Sequence, residues 1–590
     1  MIGRIAMAAA LAAAPFAPVL AASDATPAPA ARAHRVQLPA LLGADERAQY
    51  QEVFALIRGG KWADATARLD AMKPGLLHPT ARAQLYTAKG SPKVELEPLM
   101  QLLATAPDLA QAPQIARLAA LRGAAELPQL PEQQRLVWLG GQPLRARAAT
   151  TRSDTAAMAL SQQVLPLIKA DDAAGAEALV IAAESQLTPE ALTEWRQRVA
   201  WSYYLIGDDA NARRLAASAQ TGVGEWAVHA DWVVGLACWR QRDYAAANAA
   251  FRRVTARTDD SELQAAGYFW AARADMARGA PQLVQAQLRT AARMPETFYG
   301  MLASQALGIA VHPDMQPDLL TSDWSRLGNE NNVRVAVALI EIGETRLAID
   351  ALKYQARIGP AGEHEVLLRL AGRMNLPELQ LWLAHNGPAG AAPQASARYP
   401  APEWTPDGGW RVDKSLVFAH ALQESRFRAD VVSPAGAYGI MQVRPGSAGD
   451  IARARGQAFD RTKLSVPSTN IEYGQSYLEQ LRDYSGTGGL LPKVIAAYNA
   501  GPAPIAQWNG RQFDRGDPLL YIESVPYWET RGYIAIVLRN YWMYQQNAGD
   551  PSPSRKALAQ GLWPRFPGLP GETAVRVTAA APQGQVASAN

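Results

Sequence analysis

The sequence predicts a mainly α-helical protein of several domains, on three observations. Its 590 residues exceed what one ordinary hydrophobic core organises. Between about residues 38 and 308 the chain is rich in Ala, Leu and Arg, its apolar residues recur at helical spacing, and strand signals are few. A stretch rich in Ala, Pro and Gly at 387–406 then marks a boundary before a further helical region.

Residues 1–22 have the pattern of a secretory signal peptide. Arg4 precedes an apolar run over 5–20 that contains Pro15 and Pro18, and small residues end the run at Ala21. The run is too short for a membrane span, and no other stretch is long and apolar enough to be one. Cys238 is the only cysteine, so we expect no intramolecular disulfide and no lipidated cysteine at the mature end. The sequence therefore predicts a periplasmic protein without a lipid anchor.

Residues 23–309 are predicted to form an α-superhelix of stacked helix pairs. Helix-turn-helix units recur at 195–217, 232–251 and 268–300, and the second approaches the tetratricopeptide pattern. Ala and Gly at the expected helix contacts let paired helices approach closely, and stacked pairs make a curved solenoid. The alternative is an interaction scaffold with no catalytic role, which is compatible with an enzymatic domain elsewhere in the chain.

Three further segments complete the predicted division of the chain. Residues 310–395 carry Leu-rich pairs at helical spacing and predict a helical linker domain. Residues 396–548 are predicted to form a mostly helical catalytic domain. Residues 549–590 contain many Pro, Ala, Gly and Gln and little apolar periodicity, so we expect a tail that is disordered or only partly docked on the rest of the protein.

The composition excludes several functional classes. A formal net charge of +4 is too small to indicate nucleic-acid binding, and no dense basic run with interleaved aromatic residues is present. The seven histidines lack metal-ligand spacing, and the chain has no P-loop, dinucleotide fingerprint or nucleophile elbow. We therefore expect no metal, no cofactor and no nucleic-acid partner.

Glu424 is the first candidate for chemistry. It follows an apolar helical run that includes Val417 and Ala421, and its spacing places it on the same face as those residues. Burial disfavours the charged form of a carboxyl, so its pKa should rise from about 4.3 to roughly 6. Such a group can protonate a glycosidic oxygen. The alternative is a glutamate at a helix end that reaches water.

The loop after Glu424 strengthens the first interpretation. Ser433 begins a turn, and Gly436 and Gly439 permit positive φ or close backbone approach. An ordered element then resumes at 440–443 with Gln442 at its apolar start, which a purely structural loop would not need.

Four sequence blocks together resemble the soluble lytic murein transglycosylases. They are E-S-x-F at 424–427, S-P-x-G-A-x-G-I-M-Q at 433–442, A-Y-N-A-G at 497–501 and I-E-S-V-P-Y-W-E-T-R-G-Y at 522–533. All occur in the order typical of that family, which makes a chance match of short motifs improbable. The resemblance is strong over about 399–544. It implies a lysozyme-like catalytic domain inside a ring-like superhelix.

The resemblance also implies roles for individual residues. Glu424 matches the family's single catalytic acid and base, Ser433 the serine beside the reacting sugar, and Tyr498 the tyrosine that faces the glutamate. Met441 and Gln442 match residues that line the glycan groove. Asn499 belongs to the same signature as Tyr498, and Glu529 matches the acid that receives the peptide stem. Glu523 and Arg531 share the last block and are interpreted as supporting charges.

Each of these residues has a structural alternative. Ser433 could brace a turn, Met441 could fill the core, and Tyr498 could be a buried tyrosine with a satisfied hydroxyl. Glu529 and Arg531 could form a surface ion pair of little energetic consequence. His420, one turn before Glu424, is interpreted as a packing or hydrogen-bonding residue.

The predicted reaction follows from having one acid. Most glycoside hydrolases use two carboxylates, and Asp430, the nearest second candidate, is expected to be solvated. The resemblance implies cleavage of peptidoglycan between N-acetylmuramic acid and N-acetylglucosamine, with a 1,6-anhydromuramyl product, by a monomeric enzyme acting on glycan strands and their peptide stems. The alternatives are a hydrolytic muramidase and a non-catalytic, wall-binding repeat protein.

Overall fold

The computed structural model describes residues 36–310, 317–392, 394–511 and 514–577. The predicted signal peptide lies outside these residues. The described chain is mainly helical, and no helix within it is both long and apolar enough to cross a membrane.

The first five helices, which precede the superhelix, form two packed groups, α1–α3 and α4–α5. Their bounds are α1 Ala44–Arg58, α2 Trp62–Ala71, α3 His78–Thr87, α4 Leu96–Thr105 and α5 Ala112–Leu121. Helices α4 and α5 pack over the end of α3, around residues such as Leu103 and Ile115. An extended segment without helices follows over 122–154, apart from the short strand β1 (Val137–Trp138).

In the described part of the chain, nine helices then form the superhelix. They are α6 Thr155–Lys169, α7 Ala173–Ala183, α8 Pro189–Leu205, α9 Asp209–Gln220, α10 Glu225–Arg240, α11 Tyr244–Arg257, α12 Ser261–Ala277, α13 Pro281–Ala292 and α14 Phe298–Ala306. Most begin with a side-chain cap in which an Asp or Thr oxygen accepts a backbone N–H three residues on, as Asp243 does from Ala246. Gly235 shows why small residues recur, because a Cβ there would lie 2.4 Å from the Phe251 ring.

The linker helices share their core with the start of the chain. They are α15 Thr321–Leu327, α16 Asn331–Glu341, α17 Thr345–Ile358, α18 His364–Arg373 and α19 Pro377–His385. Their buried residues form one cluster with those of α1–α3. The Glu341 carboxylate also accepts a hydrogen bond from the Leu41 backbone N–H at 2.6 Å. Strand β2 (Asn386–Gly387) pairs antiparallel with β1. The helices α1–α3, predicted as part of the superhelix, therefore complete the linker core.

The C-terminal domain contains seven helices. They are α20 Lys414–Ser425, α21 Pro445–Ala454, α22 Pro467–Asp483, α23 Leu491–Ala500, α24 Pro502–Arg511, α25 Pro518–Ser524 and α26 Trp528–Ala548. The loop after α20 forms a minimal β structure, in which Tyr438 bridges both Val432 and Val443. Helix α20 packs along α26, and both contribute to the core that the domain shares with the superhelix. In that core the rings of Phe298 and Trp542 stack at 5.2 Å.

Residues 549–577 are ordered and docked, so of the two expectations for the tail the docked one describes this part. They form α27 (Pro553–Ala559) and the antiparallel strands β3 (Trp563–Pro564) and β4 (Ala574–Val575). Trp563 and Phe566 are buried, and the Phe566 N–H donates to the Gly489 carbonyl at 2.8 Å. Two aromatic anchors outweigh the polar, Pro-rich composition, because each buries a large apolar area. Residues 578–590 lie outside the described chain.

Candidate active site

Glu424 lies in the last turn of α20, where the helix is forced to stop. Arg426 and Phe427 both adopt positive φ, at 54° and 61°, so the chain turns away directly after the glutamate. The preceding residues of α20, including Val417 and Ala421, are buried. The glutamate therefore projects from a rigid, apolar support, as its helical spacing predicts.

One hydrogen bond fixes the Glu424 carboxyl. The Tyr533 hydroxyl, from α26, donates to Glu424 Oε1 at 2.5 Å. Burial, opposed by the hydrogen bond from Tyr533 and assisted by the nearby Glu529 charge, raises the pKa of Glu424 to about 7. The predicted upward direction is confirmed. At neutral pH a substantial fraction of Glu424 carries the proton that a general acid needs.

The rings of Tyr498, Tyr533 and a neutral His420 pack together next to the Glu424 carboxyl. The His420 ring lies 4.8 Å from the Tyr498 ring and 6.1 Å from the Tyr533 ring, measured between centroids. Its Nδ1 donates to the Leu416 carbonyl at 2.9 Å. Burial lowers the pKa of His420 to about 4, so the ring is neutral. His420 is therefore a packing residue, as expected, and brings no positive charge to Glu424.

Tyr498 holds the loop rather than the carboxyl. Its hydroxyl donates to the Met441 carbonyl at 2.8 Å, and its ring lies 5.4 Å from that of Tyr477. Burial and the Glu424 charge both raise the pKa of Tyr498, so it stays protonated. The Glu424 side chain receives its hydrogen bond from Tyr533, which lies in the last sequence block but is not among the predicted site residues.

The signal for Tyr533 was available in the sequence. It lies four residues after Glu529 in the last motif block, on the same face of α26. The signal was missed because only a packed structure shows that α26 lies against the end of α20.

The Gly-rich loop is clamped to α20 and α22. Ser425 Oγ donates to the Ile440 carbonyl at 2.8 Å. The Asn470 amide brackets the turn, accepting from the Met441 N–H at 2.8 Å and donating to the Tyr438 carbonyl at 2.9 Å. Gly439 adopts a φ of 71°, and a Cβ there would lie 2.4 Å from the Asn470 amide nitrogen. This position requires glycine, which explains the fixed spacing of the motif.

Ser433 and Gln442 lie on this loop with part of their surface open. Ser433 Oγ accepts from the Ala437 N–H at 3.0 Å, so it also braces the turn. Gln442 adopts a φ of 50°, and its Nε2 donates to the Gly439 carbonyl at 2.8 Å. The hydrogen bond to Gly439 therefore orients the Gln442 amide. The roles of both residues in sugar binding stay predictions.

Met441 departs from its predicted place in the glycan groove. Its side chain is fully buried and packs on Gly474, where a Cβ would lie 2.2 Å from the Met441 sulfur. The core-filling alternative describes this side chain. Met441 serves the site through its backbone, whose carbonyl and N–H are bonded to Tyr498 and Asn470.

Asn499 and Glu529 lie at the junction of α23 and α26. Asn499 Oδ1 accepts from the Thr530 hydroxyl at 2.5 Å, which ties the tyrosine signature to the start of α26. Glu529 is exposed and, with Tyr533, lines a cavity of about 360 Å³ between the superhelix and the C-terminal domain. An exposed acid in such a cavity can accept a cationic or N–H group of a ligand.

Glu523 and Arg531 face the superhelix. Glu523 is buried, pairs with Arg145 at 2.8 Å and accepts from the Tyr299 hydroxyl at 2.8 Å. Arg531 lies over the Trp201 ring at 4.3 Å from its centroid. Arg531 has no ion pair with Glu529 in the described structure, so the surface-pair alternative does not apply. Asp430 is exposed, as expected.

No group of His, Cys, Asp or Glu side chains in the described ranges has the geometry to hold a metal ion. The site offers instead a protonated carboxyl, an adjacent tyrosine hydroxyl and an open cavity. Acid–base chemistry is what these groups can perform.

The chain matches a known domain family over this region. Residues 406–520 match the family model of the transglycosylase SLT domain, which includes Glu424, Ser433, Gln442 and Tyr498. The chain carries a transglycosylase SLT domain, and the resemblance inferred from the motifs is confirmed.

Individual relatives agree with this assignment. The soluble lytic murein transglycosylase of Escherichia coli K12 is 36% identical over 161 residues, which are 26% of this chain and 24% of that protein. The soluble lytic murein transglycosylase of Salmonella typhimurium is 38% identical over 148 residues, or 24% of this chain and 22% of that protein. By sequence, the chain spans about a quarter of the length of the curated relatives it matches.

The fold likeness extends further than the sequence likeness. The solved 70 kDa soluble lytic transglycosylase of Escherichia coli is 18% identical, with a TM-score of 0.54 over 89% of this chain and 100% of that one. A lytic transglycosylase of Pseudomonas aeruginosa is 19% identical, with a TM-score of 0.51 over 86% of this chain and 87% of that one. The predicted fold class, a mainly α protein with a superhelical ring and a lysozyme-like domain, is confirmed.

Proposed function

We propose that this protein is a lytic transglycosylase that cleaves the β-1,4 bond between N-acetylmuramic acid and N-acetylglucosamine in peptidoglycan. The observation that carries the proposal is the Glu424 carboxyl, buried at a helix end, with a pKa near 7 and a hydrogen bond from Tyr533. Its support is the SLT domain around it and the murein transglycosylases among its relatives.

In the first step, Glu424 donates its proton to the glycosidic oxygen, and the bond to the anomeric carbon breaks. The positive charge that develops at this carbon is stabilised by the substrate's own N-acetyl group. The Tyr533 hydroxyl stays bonded to Glu424 and stabilises the carboxylate left behind, because a hydrogen bond to the charged form favours it.

In the second step, the Glu424 carboxylate takes the proton from the C6 hydroxyl of the same muramyl residue. That oxygen attacks the anomeric carbon in place of water and closes the 1,6-anhydro ring. Glu424 ends the cycle protonated, so no proton is gained or lost. One residue thus serves as acid and then base, which a pKa near the working pH permits.

The substrate would be held by residues around this carboxyl. We assign Ser433 and Gln442 to the glycan, Tyr498 and Asn499 to the support of its groove, and Glu529 to the peptide stem. The assignment is supported by the location of these residues in the sequence blocks that carry the resemblance: the loop after α20, α23 and the start of α26. A lytic transglycosylase of Pseudomonas aeruginosa with a similar fold is inactive as a Glu-to-Gln variant, which agrees with an essential glutamate.

A hydrolytic muramidase is the competing function, and it is supported by one observation, the position of Glu529. A hydrolase needs a second carboxylate across the scissile bond, and Glu529 is close enough to Glu424 to raise its pKa. Glu529 is exposed at the cavity rim, so it is placed to bind a stem rather than to hold a nucleophilic water. The wall-binding scaffold is less favoured, because it gives no reason to bury a carboxyl beside Tyr533.

The test is mass spectrometry of purified murein sacculi digested by the mature protein, with Glu424→Gln alongside. Products lighter by one water than muramidase products, and absent from the variant digest, are expected. Reducing-end products would replace this proposal with the hydrolase. Products from the variant would remove Glu424 from the mechanism.

The cellular setting is part of the same proposal. A secreted, monomeric protein acting in the periplasm on glycan strands fits the predicted signal peptide at 1–22 and the murein transglycosylases among the relatives. Fractionation of cells and sedimentation of the purified protein test the compartment and the oligomeric state.

A further inference from the structure

A second pocket, of about 220 Å³, lies between the superhelix and the SLT domain. Helices α8 and α10 form one wall, and the start of α26 forms the other. Arg145, Trp528 and Arg531 line both this pocket and the larger cavity that reaches Tyr533. The two cavities are therefore neighbours that share these three residues as a common wall.

The pocket carries an excess of positive charge. Its lining contains four guanidinium groups, those of Arg145, Arg147, Arg198 and Arg531. Two are neutralised by buried glutamates, through the pairs of Arg145 with Glu523 and Arg198 with Glu194, each at 2.8 Å. Arg147 and Arg531 have no acidic partner within the described part of the chain.

Indole rings hold three of these guanidinium groups in place. The distances from guanidinium carbon to ring centroid are 4.3–4.9 Å, for Arg531 over Trp201, Arg145 over Trp232 and Arg198 over Trp226. A cation–π contact uses the face of a guanidinium and leaves the N–H groups at its edge available for planar recognition of a carboxylate. The Nε atoms of the same three arginines are buried without an acceptor in the described structure.

The neighbouring titratable groups offset this charge only in part, because the Glu523 carboxylate, which pairs with Arg145, also acts on Arg531. His229 lies in the pocket wall, and burial together with Arg145 and Arg531 lowers its pKa to about 3, so it is neutral. Burial also lowers the pKa of Arg531 to about 10, which leaves it charged at neutral pH. The pocket therefore combines fixed cations with apolar aromatic walls and suits an anion that carries an apolar body.

We propose that this arginine–tryptophan pocket binds the terminal carboxylate of a peptide. The inference rests on the proposed function, under which a murein peptide stem meets Glu529 in the adjoining cavity. A stem that passes Glu529 has its carboxylate end near Arg147 and Arg531. The superhelix thereby contributes a ligand-binding wall to the SLT domain, and stems that end in a free carboxylate bind in preference to those that are cross-linked through it.

Calorimetric titration of the full chain carrying Glu424→Gln, which binds without turnover, tests this pocket. The probes are a murein tetrapeptide with a free terminal carboxylate and the same peptide as its terminal amide. We expect the acid to bind at least about tenfold more tightly than the amide, because a charge-assisted hydrogen-bond pair is lost in the amide.

Two further substitutions in that background sharpen the test. Arg147 is exposed and unpaired, so Arg147→Gln should leave the fold intact and reduce affinity for the acid, but not the amide, by about tenfold. Arg196→Gln is the control, because Arg196 lies on α8, which forms one wall of the pocket, but pairs with Glu184 outside the pocket. Equal binding of acid and amide, or equal effects of the two substitutions, would overturn the pocket.

The source of the carboxylate is distinguished by a third probe, the same tetrapeptide attached to its disaccharide. Tighter binding of the attached form identifies strand-borne stems, and equal binding identifies released peptides as ligands too. Both results retain the carboxylate site. Since every titration uses a variant without chemistry, failure here leaves the proposed function standing, and only the sacculus digest decides that.

Discussion

Two glutamates of the SLT domain occupy opposite surroundings. Glu472, on α22, accepts hydrogen bonds from Arg411, Arg455 and Gln475. Burial alone would raise its pKa, but these donors and the Gly408 N–H lower it to about 2. Glu424 has one neutral donor and a neighbouring negative charge, and its pKa rises to about 7. Burial acts in the same direction on both, so the number of cationic donors decides whether the carboxyl is a structural anion or an acid.

The largest expected difference between the two glutamates is the effect of Glu424→Gln and Glu472→Gln on activity. We expect Glu424→Gln to lower the cleavage rate by roughly 10²–10⁴-fold, because it removes the general acid. Glu472→Gln should keep most of the activity of each folded molecule. Initial rates of product release from sacculi, normalised to folded protein by circular dichroism, measure both; comparable losses would contradict the contrast.

Stability should follow the reverse order. Glu472→Gln is expected to lower the free energy of unfolding at pH 7 by about 2–3 kcal/mol, because Arg411 and Arg455 lose a partly buried anionic partner. The folded pKa is depressed, so this contribution is present above about pH 4.5 and is lost as the pH falls through about 2. Urea denaturation across that range measures it, and a pH-independent difference would count against this account.

Tyr533→Phe isolates the one hydrogen bond to Glu424. Removing a donor that lowers the pKa should raise the pKa of Glu424 further, so the pH at which activity declines moves above about 7. Weaker stabilisation of the carboxylate should also slow cleavage by about tenfold. The readout is the pH profile of kcat/KM. Tyr498→Phe is the control, since its hydroxyl bonds Met441, and it should not move the profile.

The smallest expected effect is a gain in stability. Because the folded pKa of Glu424 is raised, its contribution is favourable below about pH 4.5 and is lost as the pH rises through about 7. Glu424→Gln should therefore be more stable than the unmodified protein at pH 8, by about 1 kcal/mol after allowing for a weaker bond from Tyr533. Thermal unfolding at pH 5 and pH 8 checks this; no difference between the two pH values would remove burial as the cause.

Local patterns were enough to predict the helix that presents Glu424 and the tight turn at Gly439. Apolar spacing fixed the face of α20, and a turn that leaves no room for a Cβ requires Gly439. The resemblance supplied the fold class and the order of the motifs. The division into domains was predicted from composition, and its boundaries stay predictions.

Contacts between distant segments could not be predicted in this way. Tyr533 bonds Glu424 across 109 positions, and only the packing of α26 on α20 brings them together. Met441 was assigned to an open groove because a motif does not reveal which way a side chain points. The sequence could not show which part of the tail docks, because Trp563 and Phe566 find their partners in helices that are remote in sequence.

The packing of α1–α3 against the linker helices has a consequence for how the chain acquires its structure. The Leu41 N–H donates to the Glu341 carboxylate, which lies 300 positions later in the chain. A chain that is synthesised amino terminus first must leave those three helices without their core until residues near 397 have followed. Contacts this remote slow folding and prolong the exposure of apolar surface. The segment at 44–87 is therefore where we expect chaperones and proteases to meet the newly made chain.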